Sequence, residues 1–193
     1  TLIGDSAFNS LTGHDGDDLL QGGANQDFLV GGKGNDTVDG GAFGEFNEAS
    51  FEDAPAGVIV NLTNAPQLGV ATGTAHDGFG TIDTLIGIQG VFGSESNDTI
   101  FGGSSSEFFE GMGGNDSIVG GQGFGFDALE YFSSTDGVTA NLSNQGVAQL
   151  ISATQGTDIF TQIEDLYGSS FNDSLTGDTN ANYLFAREGN DTL

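Results

Sequence analysis

The stretch GGKGNDTVD, Gly31 to Asp39, sets three glycines beside two aspartates and ends on an apolar residue held between polar ones. Set in nines, the residues before it read GDSAFNSLT, GHDGDDLLQ and GGANQDFLV. Place six of these units holds Asn9, Asp18, Asp27 and Asp36, and place eight holds Leu11, Leu20, Leu29 and Val38. Two further runs keep the same phase. GSESNDTIF, GGSSSEFFE and GMGGNDSIV place Asp98, Glu107 and Asp116 sixth; GSSFNDSLT, GDTNANYLF and AREGNDTL place Asp173, Asn182 and Asp191 sixth. So many units in phase mark a solenoid, in which each unit packs only on its neighbours.

The physics of each place follows from its residue type. Glycine lets the first six residues turn tightly and lets backbones approach. The last three, such as Thr37-Val38-Asp39, read as a short strand whose middle residue points inward. Two units then make one coil of 18 residues, and strands stacked this way run parallel from coil to coil. On that geometry Asp18 stacks on Asp36, Asn9 on Asp27, Asp98 on Asp116 and Asp173 on Asp191, about 4.8 Å apart. Carboxylates that close repel unless a cation lies among them. Oxygen-only ligands on flexible loops suit Ca²⁺, whereas Mg²⁺ demands stricter geometry and softer metals want nitrogen or sulfur.

Composition agrees. The chain of 193 residues carries 28 acidic residues against two basic ones, Lys33 and Arg187, for a net charge of −26. Such a chain repels phosphate, which disfavours nucleic acid and anionic membrane surfaces as partners. It has no Cys, so disulfides, zinc-thiolate sites and thiol nucleophiles are excluded. No stretch approaches the ~18 apolar residues of a membrane span. Acid–base chemistry has little to draw on, and His14-Asp15 and His76-Asp77 are expected at the surface rather than in catalysis. No catalytic residue is expected.

Between the nonapeptide runs lie two longer units that match each other. FNEASFEDAPAGVIVNL (Phe46 to Leu62) matches FDALEYFSSTDGVTANL (Phe126 to Leu142) at an offset of 80, and IDTLIGIQGVFGSESNDTI (Ile82 to Ile100) matches TDIFTQIEDLYGSSFNDSL (Thr157 to Leu175) at an offset of 75. Asp83 and Asp158 each precede the next place-six Asp by fifteen residues, as if the solenoid continued with a wider turn. The expected organisation is one continuous solenoid: nonapeptide segments at 1–45, 93–122 and 168–193, with long spacer units at 46–92 and 123–167. Thr1 and Leu193 both fall inside repeats, so the chain is read as part of a longer protein.

These nonapeptides resemble the RTX (repeats-in-toxin) family of secreted bacterial proteins. The resemblance implies an all-β fold, a right-handed parallel β-roll or β-helix with several bound calcium ions. It further implies that the place-six side chains and the carbonyls of the loop hold the metal. Carried over to this chain, the ligands are Asn9, Asp18, Asp27, Asp36, Asp98, Asp116, Asp173 and Asp191, with carbonyls from Gly13, Gly16, Gly22, Gly31, Gly34 and Gly114. The stacked pairs suggest about five to eight ions. Asn9 and Asn182 are weaker ligands than Asp, Glu107 has no matched partner, and Phe43 and Glu45 interrupt the loop after Asp36. Asp77 and Asp136 are further candidates; Glu52, Asp53 and Glu95 read as solvated surface. The family implies an extracellular or cell-surface location, type I secretion of the unfolded chain, and folding on calcium as a stabilising module.

The alternative is a carbohydrate-binding or adhesive module, with an extracellular polysaccharide as partner. Phe28, Phe101 and Phe108, at places seven or nine, should face outward and could form a contact surface; Phe46, Phe51, Phe92, Phe109, Phe126 and Phe160 are expected in the core. A polysaccharide-active enzyme fragment is not expected. Neither is an ice-binding face, because place three (Ser6, Asp15, Ala24, Lys33) and place seven (Ser10, Leu19, Phe28, Thr37) form no regular row.

Overall fold

In the computed structural model, residues 1–41, 46–123 and 125–193 are described. Phe43 and Glu45 lie outside them. Two parallel-stranded sheets run the length of the chain. The first holds ten strands, in the spatial order Leu2–Ile3, Leu19–Gln21, Thr37–Asp39, Ile82–Ile86, Thr74–His76, Ile59–Asn61, Thr99–Phe101, Ser117–Val119, Gly156–Thr161 and Gln149–Ser152. The second holds eight: Asn9–Thr12, Asp27–Val30, Glu48–Ser50, Gly90–Phe92, Phe108–Glu110, Ala128–Glu130, Asp165–Tyr167 and Leu184–Phe185. A third pairs Thr139–Asn141 with Ser174–Thr176. Among the described residues the only helical element is a 3₁₀ turn, Leu142–Asn144. The fold is an all-β roll.

Within the nonapeptide runs the register is 18 residues, as the repeat requires: Leu20 pairs with Val38, Leu11 with Leu29, Ile100 with Ile118. The place-eight side chains of both sheets meet in one core. Leu20, Leu29, Val38, Ile100, Phe109, Ile118 and Leu175 are all at most 2% exposed. Leu193, at place eight of the last coil, is 68% exposed. Phe109 lies at the centre of this stack between Val91 and Leu129. Phe109→Ala should cost about 3–5 kcal/mol, the transfer term plus the cavity. A urea melt in saturating calcium would measure it.

The long units depart from a simple coil. Thr74–His76 runs antiparallel to both Ile59–Asn61 and Ile82–Ile86, and Gln149–Ser152 runs antiparallel to Gly156–Thr161. The two units are built alike, and the five-residue change of offset falls in the connection before the antiparallel strand. In the second unit Gln149 bridges to the third sheet: its Oε1 accepts from Asn141 N at 2.9 Å and its Nε2 donates to Asn141 O at 3.0 Å.

Both long units also use buried polar side chains as internal braces. Asn61 is fully buried, and its Nδ2 donates to the carbonyls of Ala65, Val70 and Ala71 at 3.0, 3.0 and 3.1 Å. Its Oδ1 accepts from the N–H and hydroxyl of Thr63. An amide nitrogen thus holds together a ring of carbonyls of the kind that a cation gathers elsewhere. Asn61→Ala would remove one of the hydrogen bonds each carbonyl accepts, Ala65 O keeping the Thr63 hydroxyl, Val70 O the Gln67 N–H and Ala71 O the Thr74 hydroxyl, and should cost about 1–3 kcal/mol. The loss in chemical denaturation should be the same at any two calcium concentrations that both leave the chain folded.

The phenylalanines divide differently from expectation. Phe51, Phe109 and Phe160 are buried, but Phe46 and Phe92 are only half-buried and Phe126 is 55% exposed. Phe92 occupies the ninth place, pairs in register with Glu110, and so faces away from the core. It meets Phe28 edge-on at 5.7 Å, while Phe46 packs on Phe108 at 4.6 Å and Phe108 on Tyr167 at 5.8 Å. These rings pave the outer face of the second sheet. Phe28, Phe101 and Phe108 are half-buried on outer faces.

Candidate metal centre

The place-six residues form ladders along the edges of the two sheets. In each ladder one side-chain oxygen accepts from the backbone N–H of its counterpart in the preceding coil. Asp36 Oδ1 accepts from Asp18 N at 2.8 Å, Asp116 Oδ1 from Asp98 N at 2.9 Å, Asp27 Oδ1 from Asn9 N at 2.8 Å and Asp191 Oδ1 from Asp173 N at 2.9 Å. All four expected stacked pairs are therefore adjacent, and they are joined through backbone rather than carboxylate to carboxylate. That leaves the second oxygen of each carboxylate for another partner.

The ladders extend through the long units by residues outside the expected set. Asp36 N donates to Asp83 at 2.9 Å, Asp116 N to Asp158 at 3.1 Å, and Val58 N and Val138 N donate to Asp98 and Asp173 at 2.7 and 2.8 Å. Along the second sheet the series runs Asn9, Asp27, Asn47, Gln89, then Glu107, Asp127 and Glu164. Glu107, without a partner on repeat phase alone, is thus bound to Asp127 at 2.9 Å. The first sheet's edge is aspartate except at Val58; the second is diluted with amides and glutamates. The fifteen-residue Asp-x-apolar spacing is the sequence signal for Asp83 and Asp158.

The loops are shaped for this. Gly32 and Gly34 have φ of 90° and 157°, and a Cβ on either would stand 2.2 Å from a carbonyl oxygen of the coil above, His14 O and Gly16 O. The first glycine of each unit lies against the place-six carboxylate. A Cβ on Gly31 would meet Asp36 Oδ2 at 2.7 Å, and one on Gly111 would meet Asp116 Oδ2 at 2.4 Å. Asn at place five builds an outer ladder parallel to the first: Asn35 N donates to Asp17, Asn115 N to Asn97 and Asn190 N to Asn172, each at 2.8 Å.

The second carboxylate oxygens sort the aspartates into two kinds. Asp36 Oδ2 and Asp116 Oδ2 are buried with no hydrogen-bond partner, as is Glu107 Oε2. Asp98 and Asp173 are satisfied by serine. Ser94 N and Oγ donate to the two oxygens of Asp98 at 2.6 and 2.9 Å, and Ser169 N and Oγ to those of Asp173 at 2.8 and 2.7 Å. The distinction follows place two of the loop: serine in GSESND and GSSFND, but Gly32 and Met112 before Asp36 and Asp116. Asp77 and Asp136 are held within their own loops, Asp77 by the N–H groups of Phe79 and Thr81 and the Thr81 hydroxyl, Asp136 by the hydroxyls of Ser134 and Thr154.

Burial makes the ladder costly in charge. It pushes Asp116 up to about 8, with Asp158, Asp98 and Glu95 adding repulsion. Asp83 and Asp158 rise to about 7 and Asp98 to about 6, again chiefly through burial. Asp36 and Glu107 are raised too, burial first. His14 and His76 are exposed.

These residues fit a hard cation. The carbonyls of Gly13, Gly16, Gly22, Gly31, Gly34 and Gly114 accept no hydrogen bond from the described residues. They stand in the same loops as the unpartnered carboxylate oxygens, and a neighbouring amide oxygen, Gln155 Oε1, is likewise buried and unpaired. Among the described residues no three acidic or histidine side chains converge on one point, so backbone carbonyls must complete any coordination sphere. The donor set is oxygen throughout, which selects calcium over softer metals.

The model of the RTX calcium-binding nonapeptide repeat matches the chain in four copies, at residues 1–29, 12–43, 92–126 and 160–193. No curated protein matches it. The matched segments cover more than half of the sequence and coincide with the runs whose loops carry the free carbonyls and buried aspartates. The chain belongs to the RTX calcium-binding nonapeptide repeat family, whose repeats bind Ca²⁺.

Proposed function

We propose that this chain is a secreted structural module that folds when calcium fills its loops. The observation that carries the reading is the pair of buried, unpartnered oxygens, Asp36 Oδ2 and Asp116 Oδ2, set beside glycine carbonyls that accept no hydrogen bond. Calcium binds the closed coil and not the open chain, so folding free energy rises with its concentration. Where calcium is scarce, a net charge of −26 holds the chain expanded. At extracellular, millimolar calcium the loops fill and the coil closes. That order suits export as an unfolded chain through a type I route, which the family resemblance supports. No helix is long and apolar enough to cross a membrane among the described residues.

In this reading the loops around Asp18, Asp27, Asp36, Asp116 and Asp191 hold the ions. The long units act as clamps at 46–92 and 123–167, braced by Asn61, Asp77 and Asp136. The role is mechanical and stabilising rather than catalytic. Small-angle scattering tests it. In EDTA at neutral pH the radius of gyration should approach that of an unfolded chain, about 47 Å; millimolar calcium should bring it to about 16 Å. Magnesium at the same concentration should leave it expanded. A chain equally compact in EDTA would sink the proposal.

A further inference from the structure

A groove of about 370 Å³ lies on the outer face of the first sheet, where it meets the loops that begin at Gly102 and Gly120. Its floor is Phe101 and Val119, neighbours in register at the ninth place. Its walls carry four side-chain amides: Asn64 and Gln67 from the long-unit loop on one side, Gln122 and Gln162 on the other. None of the eleven residues lining it is charged, in a chain with 28 acids. The four side-chain amides make no hydrogen bond to the described residues.

Gln162 is the unusual member. It follows Thr161, which pairs with Val119, so it occupies the place held by Gly102 and Gly120 in the two coils before it. Its φ is +58°, in the left-handed region that favours glycine. A bulky amide is therefore kept at a strained position where neighbouring coils use no side chain, and it lines the groove. Strain of this kind is held where the side chain is needed.

We infer that this groove binds a neutral oligosaccharide, with Phe101 as the stacking platform and Asn64, Gln67, Gln122 and Gln162 pairing with sugar hydroxyls. Each amide offers a donor and an acceptor side by side, which matches a vicinal diol. An aromatic ring beneath takes the apolar face of a sugar ring. The uncharged lining offers a cation or an anion no counter-charge, and the net charge of the chain repels acidic polymers. The groove crosses from the Asn61 coil to the Gln162 coil, three strand spacings or roughly 14 Å, room for about three sugar units.

The test uses the calcium-loaded chain, with its β structure verified by circular dichroism, so that failure of calcium folding is seen separately. Calorimetric titration would compare neutral hexaoses of glucose, mannose and galactose with an oligogalacturonate. At least one neutral oligomer should bind saturably and the oligogalacturonate should not. Gln162→Gly, which relieves the strained backbone, should keep or raise the thermal midpoint yet weaken binding by about tenfold or more. Phe101→Ala, on the outer face, should weaken it as well. No binding across the neutral panel, stronger binding of the oligogalacturonate, or unchanged affinity in both variants would overturn the inference.

Discussion

In EDTA the chain should be more stable near pH 4.5 than near pH 8, and millimolar calcium should reverse that order. The reason lies in the raised carboxyls: Asp83 and Asp158 at about 7, Asp116 and Glu130 at about 8, Asp98 at about 6. Unfolded, these groups titrate near 4. Between those limits the folded chain holds protons that the unfolded chain releases, so stability falls as pH rises from about 4 through about 8. Each tenfold gain in proton affinity on folding is worth about 1.4 kcal/mol per group. Calcium replaces the protons and keeps the carboxylates ionised. In its presence acid competes with the metal, and stability should instead rise with pH. Urea melts in calcium at the two pH values, and in EDTA the β content by circular dichroism from pH 4.5 to pH 8, make the comparison. A calcium-free chain that gains stability between pH 4.5 and 8 would mean that burial of the ladder does not govern folding.

The second large effect is an opposition of sign between two aspartates of the same ladder. Asp116→Asn keeps the oxygen that accepts from Asp98 N and removes the buried charge whose other oxygen has no partner. In EDTA it should let the fold persist to higher pH, since an uncompensated buried charge is removed. In calcium it should lose at least one ion and shift the folding midpoint to about tenfold higher calcium. Asp98→Asn acts otherwise. Both of its oxygens are engaged, by Val58 N and by the N–H and hydroxyl of Ser94. An amide nitrogen there would face a donor, and the variant should lose about 1–3 kcal/mol in calcium and, without it, at pH 4.5. Equal behaviour of the two variants would show that serine at place two does not take the part of the ion.

The place-six and place-eight columns are legible in the bare sequence because their cause is local. Two nonapeptides close one coil, so residues 18 apart are neighbours whatever the rest of the chain does, and the pairing of Leu20 with Val38 or Asp98 with Asp116 follows from counting. The inward turn of Phe109 and the outward turn of Phe28, Phe101 and Phe108 follow from strand alternation in the same frame.

Where the count is broken, the sequence loses its hold. Asp36 meets Asp83, and Asp116 meets Asp158, across 47 and 42 residues that include an antiparallel strand. No periodicity sets those separations; loop closure and the packing of Leu85 and Phe160 into the shared core do. Phe92, by contrast, faces outward within the count, standing at place nine and 18 residues before its partner Glu110. Thus the sequence by itself determined the coil, its core column and its demand for a cation, since each arises between residues at one fixed spacing. Only the tertiary structure decided which carboxylates keep an open oxygen, how the ladders cross the long units, and where an uncharged groove opens. Those depend on what a distant loop places against each side chain.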